Sequence, residues 1–150
     1  HLVGEEGRMS ASQLHFFFVM TKLLEYGSTI ALLVSGIIHL IPVYGVSGSA
    51  ALTQLYGIEV VDSNVAILLQ HRALLFGILG LLMLLAIALP SIRITVLVAS
   101  LLSAASFIVV AMWVGGYNPA ISRVIRADAI ASALLAAGLL TEWHFAYGTR

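Results

Sequence analysis

The chain has 150 residues, of which 61% are hydrophobic and 9% are charged, and its formal net charge at pH 7 is zero. Soluble domains carry about 25% charged residues, so this composition excludes an ordinary water-soluble protein and is typical of a membrane protein. The neutral charge excludes a nucleic-acid partner, because binding to phosphates needs a basic surface. The absence of cysteine excludes disulfides, thiolate metal sites and a cysteine nucleophile.

The start of the chain, residues 1–8, is expected to be a tag or vector remnant that precedes a natural start at Met9. We expect residues 9–150 to form one domain. Four apolar stretches in that domain each approach the roughly 20 residues that a helix needs to cross a bilayer. They predict an all-α bundle of four transmembrane helices, with spans at Leu23–Pro42, Ala73–Leu89, Thr95–Val114 and Ile121–Leu140.

The connections between the predicted spans differ in length. Short turns at LPSIR and GGYNP join the second span to the third and the third to the fourth, so these neighbours should be antiparallel. The connection from Val43 to Ser63 exceeds the roughly 2–8 residues usual between bundle helices. It is either a passive surface loop or a short helix at Ser49–Tyr56 lying on the membrane, with Tyr44 and Tyr56 as anchors at headgroup level.

Four antiparallel spans place both termini on one side of the membrane, here named side A. The loops after the first and third spans lie on the other side, named side B. The long loop of side B contains no Lys or Arg. Because positively charged loops stay in the cytoplasm, this favours cytoplasmic termini.

Polar residues at the side B ends of the spans predict a binding site, since ionisable groups inside spans usually face the bundle interior and pair with one another or with a ligand. The candidates are His39, Tyr56, His71, Arg72, Tyr117, Asn118, Arg123, Arg126 and Asp128. Asp128 could hold His71 or Arg72. The arginines would suit the head of a membrane lipid or of another small amphipathic or anionic molecule, such as a quinone-like molecule or a carboxylate. Alternatively, these residues only join the helices and meet lipid phosphates at the interface.

Two other functions also fit the sequence. His39 and His71, opposed at similar depth, could ligate a b-type haem. An accessory subunit of a larger membrane complex, or a homo-oligomer, would instead pack through small residues, for which Ser100, Ser103, Ala104 and Ala105 are candidates. No nucleophile elbow, phosphate loop or Glu-x-x-His pair is present, so the sequence favours binding over catalysis.

A family resemblance spans most of Met9 to Leu140. It is carried by two segments, YGIEVVDSNVAILLQHRALLFGILG and GGYNPAISRVIRADAI. They resemble a family of uncharacterised small bacterial four-span membrane proteins with Tyr-Gly and His-Arg-Ala-x-Leu-Phe-Gly motifs. The resemblance places Tyr56, Gly57, His71, Arg72, Tyr117, Asn118 and Asp128 in family motifs. We expect the protein to lie in a bacterial inner membrane. Some members are labelled phosphopantetheine adenylyltransferase. This sequence contradicts that label, because it has no Rossmann-like sheet or phosphate-binding turn.

Overall fold

The computed structural model describes residues 10–147, apart from the side chains of residues 17, 20, 21, 23–25 and 145–147. The expected remnant at residues 1–8 lies outside the described residues. The described part is all-α, as predicted, and contains no strand. Its elements are α1 (Ala11–Leu40), a 3₁₀ segment (Ile41–Ser47), α2 (Ser49–Tyr56), α3 (Ser63–Ala88), α4 (Pro90–Val114) and α5 (Pro119–Tyr147).

Within residues 10–147, four helical segments are long and apolar enough to cross a membrane, so this part of the chain is that of an integral membrane protein with four spans. These segments are Tyr26–Ser47, Ser63–Ala88, Pro90–Val114 and Pro119–His144. The last three of these helices, α3, α4 and α5, begin at a capping residue or a proline rather than at the first apolar residue. Asp62 accepts hydrogen bonds from the backbone N–H groups of Asn64 and Val65 at 2.7 and 3.2 Å, and Pro90 and Pro119 open the next two helices.

The spanning helices form a ring in which α1 and α4 each pack against both α3 and α5. Leu32, Met83, Leu97 and Leu135, one from each helix, are fully buried in its core. Glycines bring the backbones of α1 and α3 close together. A Cβ atom at Gly80 would lie 2.9 Å from the carbonyl oxygen of Gly36. Small residues at such crossings increase van der Waals contact, which drives helix association in lipid.

A polar cluster at the side A end joins three helices through Arg93. Its guanidinium donates to Glu142 Oε1 at 3.0 Å and to the carbonyl oxygens of Ala86 and Ile87 at 3.2 and 2.9 Å. The hydroxyl of Ser28 donates to the same Glu142 oxygen. Arg93 therefore caps the carboxyl end of α3 and pairs with α5, so its charge is satisfied within the protein.

The long connection on side B is structured, which confirms the predicted helix at Ser49–Tyr56. Leu52 and Tyr56 of α2 are buried, and with Val60 they form a small core against residues of α3 and α5. The role of Tyr56 as a headgroup anchor was therefore predicted wrongly, because its side chain is only 3% exposed. Tyr44 is 56% exposed. The apolar face of α2 thus turns into the bundle instead of lying on lipid.

Asn118 fixes the carboxyl end of α2 to the beginning of α5. Its Nδ2 donates to the carbonyl oxygens of Tyr56 and Gly57 at 2.8 and 3.2 Å, and its Oδ1 accepts from the backbone N–H of Ile121 at 2.9 Å. Gly57 has φ +66°, in the left-handed region that ends α2. Asn118 therefore acts as a helix cap and a clamp on the side B connection.

The Gly36–Gly80 crossing gives a stability prediction. Replacing Gly80→Ile should destabilise the protein by about 1–3 kcal/mol, because the new side chain would push the backbones of α1 and α3 apart. The matched control is Leu81→Ile, one residue further along α3, where the side chain is 60% exposed to lipid. The check is the thermal unfolding midpoint in detergent. Equal midpoints for both variants would contradict the tight crossing.

The clamp at Asn118 gives a second prediction. Asn118→Ala should cost about 1–2 kcal/mol of stability, since it removes an N-cap and leaves two carbonyl groups without their donor. Asn118→Asp keeps the cap and loses only the donor, so its midpoint should lie between those of the wild type and the alanine variant. Thermal unfolding and protease sensitivity of residues 57–62 test this. The same midpoint for Asp and Ala would show that the capping interaction contributes nothing.

Candidate functional site

A cavity of about 100 Å³ lies on side B between α1, α3 and α5, and the 3₁₀ segment and α2 close it. Apolar side chains make up most of its wall, and four polar side chains interrupt them. The lining residues are Ile38, His39, Ile41, Pro42, Leu55, Tyr56, Arg72, Phe76, Val124, Ala127 and Asp128. The structure therefore brings together four of the residues predicted for the site, His39, Tyr56, Arg72 and Asp128.

His39 is fixed in the cavity wall by its own helix. Its Nδ1 donates to the carbonyl oxygen of Ser35, one turn earlier in α1, at 2.9 Å. The ring is 1% exposed and its centroid lies 5.4 Å from that of Phe76. Since a carbonyl oxygen only accepts, Nδ1 carries a proton, while Nε2 accepts in the neutral ring and donates in the protonated ring. Nε2 has no hydrogen-bond partner within the described part of the chain.

Arg72 is held among aromatic rings. Its guanidinium carbon lies 5.7, 5.0 and 4.5 Å from the ring centroids of Tyr56, Phe76 and Phe107. Such contacts attract a cation through the ring quadrupoles. Unlike Arg93, Arg72 makes no hydrogen bond and no ion pair within 4.0 Å to any described residue. Its positive charge is thus positioned but not neutralised by direct contact.

Asp128 supplies the only carboxylate of the cavity wall. Asp128 is 5% exposed, and its Oδ2 has no hydrogen-bond partner among the described residues. Arg72 attracts it electrostatically, yet the two side chains do not come within ion-pair distance. The opposite charges therefore interact without direct contact.

A wider groove of about 480 Å³ lies on the other side of Arg72, between α3 and α4. Arg72 and Phe76 belong to the walls of both spaces. The remaining wall of the groove is largely apolar and consists of Leu75, Leu79, Ser103, Ser106, Phe107 and Val110. The hydroxyl of Ser106 donates to the carbonyl oxygen of Ser103 at 2.8 Å, so it presents little free polarity. The groove therefore suits a hydrocarbon chain, with a cation at one place on its wall.

The structure leaves the other predicted site residues outside both spaces. The side chains of His71, Tyr117, Arg123 and Arg126 are exposed, and Asn118 serves as the clamp. The reason is helical geometry at about 100° per residue. His71 is rotated by one residue from Arg72, while Arg123 and Arg126 are about 140° and 160° from Asp128 around α5. Similar depth did not bring these side chains to the same face.

The haem reading finds no support in this geometry. His39 lines the closed cavity, whereas His71 is exposed on a different face of α3, so the two rings do not oppose each other. Within residues 10–147, and with the omitted side chains set aside, no group of three or more His, Asp or Glu side chains could hold a metal ion. Of the small residues expected to pack against a partner subunit, Ser100 and Ala104 are fully buried inside the chain, whereas Ser103 and Ala105 are half-buried.

Sequence reasoning missed the two phenylalanines that position Arg72. Phe76 follows Arg72 by four residues, so the same-face rule for helices could have identified it. Phe107 lies on α4, where no nearby charged residue marks the position, and only the packing of α3 against α4 identifies it. Comparison of the chain with protein-family models, curated proteins and solved structures finds no match.

Proposed function

We propose that this membrane protein binds an anionic amphipathic molecule, a membrane lipid in the first instance, at Arg72 on side B. The anionic group lies beside the guanidinium, and an apolar chain lies in the groove between α3 and α4. The observation that carries the proposal is a positive charge, free of any direct ion pair among the described residues, on the wall shared by a largely apolar cavity and a wider groove.

Electrostatics supports an anionic ligand. A charged side chain within a span is costly, and such residues pair with opposite charges or line a functional site. Aromatic contacts contribute about 0.5–2 kcal/mol. They do not replace hydrogen bonds, so the guanidinium N–H donors have no acceptor among the described residues. A phosphate or carboxylate matches the planar fork of an arginine and forms short, charge-assisted hydrogen bonds with it. Binding such a group would satisfy Arg72 in the way that Glu142 satisfies Arg93.

The neighbouring surface supports an amphipathic ligand. Leu75, Leu79 and Val110 line the groove beside Arg72, and a hydrocarbon chain placed there would keep its contacts with apolar side chains. Small free anions have no hydrocarbon chain and therefore do not gain these apolar contacts. A lipid also reaches the site from the bilayer itself, where its local concentration is high.

The wider setting is part of the same proposal. We place the protein in a bacterial inner membrane with both termini in the cytoplasm, in accordance with the lack of Lys and Arg in the side B connection. Side B then faces away from the cytoplasm. Assembly as a homo-oligomer or within a larger membrane complex is compatible with this site only through a face other than the groove between α3 and α4.

The test is native mass spectrometry of the protein after equilibration with equal amounts of dioleoyl phosphatidylglycerol and dioleoyl phosphatidylcholine. The wild type should retain the anionic lipid preferentially, and Arg72→Gln should lower that retention about tenfold, since one charge-assisted contact is lost. The matched control is Arg126→Gln, which removes the same charge from an exposed position on α5.

Unchanged retention in Arg72→Gln, with loss in Arg126→Gln, would place lipid binding on the surface and overturn the proposal. Arg72→Lys guards against a folding defect, because it keeps the charge and loses the planar fork. Retention by the lysine variant should fall between those of the wild type and the glutamine variant. Thermal unfolding midpoints measured in parallel show whether each variant is folded.

A further inference from the structure

The outward face of α5 differs from the lipid-facing surfaces of the other spanning helices. Large apolar side chains, such as Leu81 and Leu102, cover the exposed surfaces of α1, α3 and α4. On α5 the exposed residues include three alanines spaced by four, Ala129, Ala133 and Ala137. α5 is also the least apolar of the four spans, although no larger share of it is buried than of α4. Its outward surface is therefore poorly matched to hydrocarbon.

Two arginines belong to the same surface. At about 100° per residue, the three alanines lie within about 60° of Arg126 around the helix, and Arg123 lies about 60° away from Arg126. Both arginine side chains are exposed, and neither makes a hydrogen bond or an ion pair within 4.0 Å to any described residue. The α5 face, as we name this surface, thus combines two charges that lack a partner in the described chain with a stripe of small residues.

The depth of Arg126 makes lipid a poor environment for its charge. Its Cα lies seven residues after Pro119, the first residue of α5, which is about 10 Å along the helix. Ionisable side chains within spans usually face protein or pair with another charge. Alanines let the backbone of a second helix approach closely, which increases van der Waals contact. Both features point to a helix of another polypeptide on this face.

The like charges argue against a second copy of this chain as that helix. All copies have the same orientation in the membrane, so a two-fold contact through the α5 face would place the Arg126 side chains of both copies side by side at equal depth. These cations would repel each other. A helix with a carboxylate at the depth of Arg123 or Arg126 would instead form charge-assisted hydrogen bonds with the guanidinium groups.

We infer that the α5 face binds a transmembrane helix of another protein, with an Asp or Glu about 5–10 Å below its side B end and small residues along the contact. This inference goes beyond the proposed function and does not depend on it, because none of the residues that line the α3–α4 groove belongs to α5. The protein is then a subunit of a larger membrane complex, and its lipid site stays open to the bilayer.

The test uses model transmembrane peptides in phosphatidylcholine vesicles, which contain no anionic lipid. A Leu-Ala peptide of about 24 residues carries a dansyl group and an aspartate about seven residues from each end, so either direction of insertion presents a carboxylate near the depth of Arg126. Energy transfer from Trp113 and Trp143, the two tryptophans of the protein, measures binding. The aspartate peptide should bind about tenfold more tightly than its asparagine analogue. A peptide with one aspartate at its centre should bind as weakly as the asparagine analogue.

Variants of the protein locate the contact. Arg123→Gln combined with Arg126→Gln should lower binding of the aspartate peptide to the level of the asparagine peptide. Ala133→Ile should weaken binding of both peptides about threefold, because a larger side chain holds the helices apart. The control Val109→Ile enlarges an exposed side chain of α4 and should change neither. Thermal unfolding midpoints show whether each variant is folded, and the comparison of peptides on the wild type needs no variant.

Three outcomes would overturn the inference. The first is equal binding of the aspartate and asparagine peptides to the wild type. The second is loss of bound phosphatidylglycerol in the double arginine variant without an effect on the peptides, which would assign the arginines to lipid phosphates. The third is a dimer in native mass spectrometry that Ala133→Ile dissociates, which would assign the face to a second copy. The test of the proposed function with Arg72→Gln is separate from all three.

Discussion

A charge within the low-dielectric interior of a membrane bundle needs partners, and this constraint organises both ends of the molecule. At side A, the guanidinium of Arg93 donates hydrogen bonds to two carbonyl oxygens and to the carboxylate of Glu142, so its charge is paired within the protein. At side B, Arg72 finds aromatic rings at 4.5–5.7 Å and a carboxylate beyond ion-pair distance. Arginine thus has two roles in this protein: Arg93 stabilises the fold at side A, and Arg72 remains available for a ligand at side B.

The fold maintains this difference through the side B connection. α2 and the 3₁₀ segment cover the cavity, and the buried Leu52 and Tyr56 hold α2 against the bundle. The bonds of Asn118 to the end of α2 keep the cover in place. At the same time, close contacts between glycine backbones align α1 with α3, which sets the relative positions of His39 and Arg72. Helix packing and loop structure therefore both determine the geometry of the site.

Much of this architecture was predictable from the sequence. The lengths of the apolar stretches predicted four spans. For the long connection the sequence left a passive loop and a helix at Ser49–Tyr56 as alternatives, and the structure contains the helix. Depth along the spans correctly grouped His39, Arg72 and Asp128, because position in the sequence measures depth in a membrane helix. The spacing of residues already separates Arg123 and Arg126 from Asp128 around the helix. Which of these faces points into the bundle was harder to predict, because a largely apolar span has no clear polar face. The contacts of Tyr56 depend on where α2 packs against the bundle, which the sequence does not state. The pairing of α3 with α4 was predicted, but not that Phe107 faces Arg72 across it.

The central claim is that the guanidinium of Arg72 binds an anionic lipid group. The NMR signal of this guanidinium reports such binding most directly. The measurement is the ¹⁵N–¹H spectrum of arginine Nε in nanodiscs, with the Arg72 signal assigned by comparison with Arg72→Lys. We predict that this signal shifts when dioleoyl phosphatidylglycerol replaces part of the phosphatidylcholine, while the Arg93 signal, already paired within the protein, stays in place. An Arg72 signal that is the same in both nanodiscs would contradict the account.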